Sequence, residues 1–128
     1  MTKPYALIIE DDPKLTIILD TALRQTGFQT NIDMRGDQYQ SFLSIKTPAL
    51  IILDIHLPYA SGKDIHKALK SDPNLKNTLI IITTADVYLA RKLEKEAEYV
   101  LTKPVSVGRL QNIIDQKWPE RNIPVGSS

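Results

Sequence analysis

The chain has 128 residues, of which 42% are hydrophobic and 24% charged, which suits one folded domain with a single core and excludes a disordered or collagen-like chain. Sixteen Lys and Arg against fifteen Asp and Glu leave a net charge of +1, so no polyanion partner is expected, and the absence of cysteine excludes disulfides and thiolate metal sites. The start of the chain has no signal-like apolar stretch and the longest apolar runs are far too short to span a bilayer, so the expectation is a cytoplasmic domain without a membrane partner.

In chain order, Tyr5–Ile9 reads as a first strand, because it is a continuous apolar run. Asp12-Pro13 then supplies a helix cap and a first-turn proline. Leu15, Ile18, Leu19, Ala22 and Leu23 follow at helical spacing, and Gly27 is placed to end that helix. Gln29–Ile32 is a weaker strand, and Tyr39, Phe42 and Leu43 mark a short second helix. Leu50–Leu53 is the third strand. Ser61 to Asp64 reads as a capping box for a helix with Ile65, Ala68 and Leu69 on one face, stopped at Asp72-Pro73.

Leu79–Ile82 is the fourth strand. Asp86 caps a helix expected to turn Ala90, Leu93 and Ala97 inward, and the Arg91–Glu98 charge run reads as its solvated face. Tyr99–Leu101 is the fifth strand, and a last helix carries Val105, Val107, Leu110, Ile113 and Ile114, with Ser106 as its cap, and stops before Pro119. Trp118 reads as a packing stop for that helix, and residues 121–128 as a polar tail after a domain spanning 1–120. Five strands alternating with five helices imply a parallel sheet covered on both faces. Five units are too few for an eight-fold barrel, which leaves an open, doubly wound α/β sheet.

Ligands in such sheets sit outside the carboxyl ends of the strands. Glu10 and Asp11 follow the first strand, Asp54 the third, Thr83 and Thr84 the fourth, and Lys103 with Pro104 the fifth. Clustered carboxylates repel one another, and a hard divalent cation such as Mg²⁺ relieves that cost through oxygen ligands. A lysine and a hydroxyl nearby can bind phosphoryl oxygens, and an aspartate can accept a phosphoryl group.

The segments Leu7–Pro13, Leu50–Pro58, Ile82–Ala85 and Leu101–Val105 together resemble the receiver domain of two-component response regulators, over about residues 3 to 118. The resemblance implies a strand order of 2-1-3-4-5. It implies Asp54 as phospho-acceptor, Glu10 and Asp11 as Mg²⁺ ligands with Asp54 and the backbone carbonyl of His56, and Thr84 and Lys103 as the remaining catalytic positions. It leaves Asp12 as the helix cap. A phosphohistidine on a sensor histidine kinase or phosphotransfer protein is the implied donor, and a downstream protein the implied target. The fourth helix, fifth strand and fifth helix are the implied output and homodimer face. The chain would thus catalyse its own phosphorylation and dephosphorylation without being a conventional enzyme. The resemblance also implies that positions 56 and 86 tune dephosphorylation. No output domain is read after the receiver, so direct nucleic-acid binding is not expected of this chain.

The sequence departs from the family pattern at Val100, where an aromatic switch residue is usual. Neighbouring Tyr99 faces the other side of a strand and is not expected to substitute. The span from Thr84 to Lys103 is short, which predicts a shortened fourth helix. These departures leave open a receiver-like binding module that signals without phosphate. A haloacid-dehalogenase-type phosphatase needs a second Asp where His56 stands, and a dinucleotide site needs a phosphate-cradling loop where this chain is acidic. His56 is expected to be a bystander through its side chain, and His66 a solvated helix residue.

Overall fold

Four of the five strands are short runs rich in Ile, Leu, Val, Thr or Tyr, side chains that pack well on a pleated surface, and the remaining one, Gln29–Asp33, is mostly polar. In the computed structural model, which describes residues 3–120 and 123–125, they form one five-stranded parallel sheet. The elements are β1 (Tyr5–Ile9), α1 (Pro13–Gln25), β2 (Gln29–Asp33), α2 (Tyr39–Ile45), β3 (Leu50–Asp54), α3 (Gly62–Ser71), a 3₁₀ turn (Pro73–Leu75), β4 (Leu79–Thr84), α4 (Val87–Leu93), β5 (Tyr99–Thr102) and α5 (Val107–Lys117). The strand order is β2-β1-β3-β4-β5, as the resemblance implied.

Strand alternation divides the core into two layers. Ala6, Ile8, Leu50, Ile52, Leu79, Ile81 and Leu101 pack against Leu19 and Leu23 of α1 and Leu110, Ile113 and Ile114 of α5. Leu7, Ile9, Ile51 and Leu53 turn the other way, onto Tyr39 of α2 and Ile65 and Leu69 of α3. Ile82 and Val100 meet Ala90 and Leu93 of α4 on that same side. Tyr99 packs with the first layer and Val100 with the other, so the two neighbours face opposite sides of the sheet as expected.

The caps form where the sequence places them. Asp12 accepts from the N–H groups of Lys14 and Leu15, Ser61 from Asp64, Asp86 from Leu89 and Ser106 from Arg109. Gly27 has φ +101°, the left-handed conformation that ends α1 without a Cβ penalty. Trp118 is buried and meets Phe28 edge-to-face, with ring centroids 6.0 Å apart.

Several expectations need correction. His66 is buried, because the inward stripe of α3 is Gly62, Ile65, His66 and Leu69, one face at helical spacing, while Ala68 lies off it and is exposed. Ile18 is exposed, since the buried face of α1 runs through Thr16, Leu19, Ala22 and Leu23. Thr16 tolerates burial by donating its hydroxyl to the Pro13 carbonyl at 2.8 Å. Helix α4 is short, as predicted, and ends at Leu93, so Ala97 packs on the core from the turns beyond it. Strands β3 and β4 run past their apolar stretches, because the ladder continues through the Asp54–Thr83 pair. Of the polar tail, residues 121, 122 and 126–128 lie outside the described residues, and Ile123 packs against the first layer.

Candidate functional site

All five strands are parallel, so their carboxyl ends share one edge of the sheet. Strand β1 delivers Glu10 there, β3 delivers Asp54, β4 delivers Thr84 and β5 leads into Lys103. The Lys103–Pro104 peptide is cis.

The Glu10 and Asp54 carboxylates are each contacted at both oxygens. Glu10 Oε2 accepts from the N–H groups of Asp11 at 3.0 Å and Asp12 at 3.3 Å. Glu10 Oε1 lies 2.9 Å from Lys103 Nζ but accepts no hydrogen bond of good geometry. Asp54 Oδ1 accepts from the His56 N–H at 2.9 Å, and Oδ2 accepts from Lys103 Nζ at 3.2 Å. One ammonium therefore bridges two buried carboxylates. Asp11 stands half-buried beside them, and oxygens of Glu10, Asp11 and Asp54 all lie within 4.8 Å of one another.

The balance of charge is unfavourable without a further cation. Three carboxylates face one lysine, and burial raises the cost of each charge. Burial, and then the Asp54 carboxyl alongside, push the Glu10 pKa up to about 7, although Lys103 opposes the rise. Burial also works against ionising Asp54, but the His56 N–H, Glu10 and Lys103 together hold its pKa below the ordinary value. Lys103 is desolvated too, yet Glu10 and Asp54 raise its pKa and keep it charged. The donor set is three hard oxygens, with Glu10 Oε1 lacking a well-aligned hydrogen-bond donor, and it fits Mg²⁺.

Thr84 is fully buried at the end of β4. Its Oγ1 accepts from the Asp86 N–H at 3.0 Å and lies 2.9 Å from His56 Nε2. The structure thus gathers Glu10, Asp11, Asp54 and Lys103 and ties Thr84 to Asp54 through His56, while Thr83 Oγ1 is buried without a hydrogen-bond partner. The His56 side chain, expected to be a bystander rather than a metal ligand, makes a contact with Thr84 that the sequence reading missed. The signal that could have found this contact was the adjacency of β3 and β4, which sets residues just past Asp54 beside the end of β4.

The family model for the response regulator receiver domain matches residues 6–115. The phosphate regulon transcriptional regulatory protein PhoB of Rhizobium meliloti is 31% identical over 110 residues, which cover 84% of this chain and 48% of that protein. The DNA-binding response regulator MtrA of Mycolicibacterium smegmatis is 31% identical over 77% of this chain and 43% of its own length. The chain thus spans about half the length of these curated relatives. Among solved structures, the signal receiver domain of a signal transduction histidine kinase from Syntrophus aciditrophicus superposes with a TM-score of 0.78 at 30% identity, covering 93% of this chain and 92% of that one. The receiver domain of the sensor histidine kinase PA1611 from Pseudomonas aeruginosa, solved with a magnesium ion in its active site cleft, shares the fold at a TM-score of 0.78, 23% identity and coverage of 89% and 96%. With the sheet order, the acidic cluster and the matched span in agreement, the chain belongs to the response regulator receiver domain family.

Proposed function

We propose that this chain accepts a phosphoryl group on Asp54 from a phosphohistidine of a sensor histidine kinase or phosphotransfer protein. The observation that carries this reading is the Asp54 carboxylate, fixed by the His56 N–H and Lys103 in a pocket shared with Glu10 and Asp11. Glu10, Asp11, Asp54 and the backbone carbonyl of His56 are the residues to hold Mg²⁺, which when bound neutralises phosphoryl charge and orients the group.

An Asp54 oxygen attacks phosphorus as the bond to the donor imidazole breaks, and that imidazole leaves. Lys103 offsets charge on the transferring group, and the pocket contributes positioning and electrostatics. The Thr84 hydroxyl then donates to a phosphoryl oxygen and carries the end of β4 with it, which biases the packing of α4 and β5. Val87 and Tyr88 of α4 are strongly exposed, which supports the face formed by α4, β5 and α5 as the surface for a downstream protein or a second copy. We take residues 1–120 as the receiver domain and 121–128 as a tail, and place the protein in the cytoplasm.

Incubation with Mg²⁺ and a small phosphodonor such as acetyl phosphate tests the reading. Intact mass spectrometry should show one added phosphoryl group, labile to base and absent from Asp54→Asn. No addition to the wild-type protein would sink it and favour signalling without phosphate.

A further inference from the structure

Strands β3 and β4 are paired with Asp54 opposite Thr83, so the residues leaving the two strand ends lie side by side. Ile55 and Leu57 are buried, which pins the backbone around His56, while the His56 ring stands at the surface. Its N–H donates to Asp54 Oδ1 at 2.9 Å, and its Nε2 lies 2.9 Å from Thr84 Oγ1. One residue therefore touches both the acceptor carboxylate and the buried hydroxyl.

A hydroxyl has one proton to give and two lone pairs to offer. The Asp86 N–H already occupies a lone pair of Thr84 Oγ1. Thr84 is 0% exposed, so its proton cannot be given to bulk water. The assignment that satisfies every group has Thr84 Oγ1–H donating to Nε2, with the imidazole proton on Nδ1.

We propose that the His56 imidazole is a latch on Thr84: it holds the hydroxyl in the unphosphorylated arrangement and sets how readily Thr84 is released to a phosphoryl oxygen. The proposal rests on the reading of Asp54 and Thr84 given above. His56 acts here as a positioning residue, through Thr84 rather than on phosphorus. To reach the phosphoryl group Thr84 must give up the bond to Nε2, so the latch opposes the switched state by the strength of one hydrogen bond. Removing the imidazole removes that opposition and leaves the Asp86 N–H contact in place.

The test is a double-mutant cycle of wild type, His56→Ala, Thr84→Ala and the double variant, read as affinity for beryllium fluoride with Mg²⁺, a phosphoryl mimic. His56→Ala should bind the mimic about three- to tenfold more tightly than wild type, the value of one net hydrogen bond. The gain should vanish in the Thr84→Ala background, and His56→Gln, whose amide can meet the hydroxyl, should restore wild-type affinity. Unchanged or weaker binding by His56→Ala overturns the latch, and so does an equal gain in the Thr84→Ala background. The contact itself is read separately in the unphosphorylated, metal-free protein, from the ¹⁵N shifts of the His56 ring. Nε2 should move on Thr84→Ala, and a fixed shift overturns the latch whatever Asp54 does. Failure of the wild-type protein to bind the mimic overturns the acceptor reading and the latch with it, while the ring shift still reports the contact alone.

Discussion

Substituting Glu10 by Gln removes one negative charge from a pocket that holds three carboxylates and one lysine. The Glu10 carboxyl is fully buried, and its pKa stands near 7 against an ordinary 4.5. Moving a carboxyl over that range corresponds to about 3 kcal/mol. Because the folded-state value is the raised one, the stability linked to this proton is fully present below pH 4.5 and is lost as pH rises through about 7. His66 works in the opposite sense, since burial lowers its pKa and its neutral form favours the fold as pH rises through the ordinary histidine range. Comparing wild type with Glu10→Gln at each pH cancels the His66 contribution. Thermal or urea unfolding in a chelator, at pH 5 and pH 8, is the assay. Between the two, stability should shift by about 2–3 kcal/mol in favour of the variant, or roughly 10 °C in Tm for a domain of this size. Adding Mg²⁺ at pH 8 should stabilise wild type more than the variant, because the variant offers the ion one carboxylate fewer. Parallel pH profiles for the two proteins would refute the reasoning.

Lys103→Met should slow phosphorylation from a small donor by on the order of a hundredfold, as loss of one charge-stabilising group does, while Mg²⁺ titration shows tighter binding. Unchanged metal affinity would argue against the bridge between Glu10 and Asp54. Gly62→Ala should destabilise the fold by about 1–3 kcal/mol in urea melts, because a Cβ there would sit 2.5 Å from Ile55 Cα, where only backbone could yield. Trp118→Ala should cost about 3–5 kcal/mol in the same assay, through the lost contact with Phe28 and the cavity left between α5 and the sheet.

The element order and the sheet class were legible because continuous apolar strands and amphipathic helices have different periods. Asp12, Ser61, Asp86 and Ser106 cap helices as read, since capping needs only a short polar side chain next to the first turn. Ala68 and His66 were harder. Hydrophobicity put the alanine inward and the histidine outward, whereas the stripe that meets the sheet includes His66 for its position. Ile18 failed for the converse reason, as an apolar residue just off the buried face of α1.

The candidate site divides along the same line. Residue type and place at the strand ends determined by themselves that Glu10, Asp11, Asp54, Thr84 and Lys103 converge, because parallel strands send all their carboxyl ends to one edge. Only the tertiary structure decided how they are paired. Lys103 is 49 residues from Asp54 and bridges it to Glu10, and His56 is 28 residues from Thr84 and bonds its hydroxyl. Sequence carries local spacing, which selects strands, helices and caps. Side-chain partners across a sheet depend on strand order, register and rotamer, and these are set when the two core layers pack.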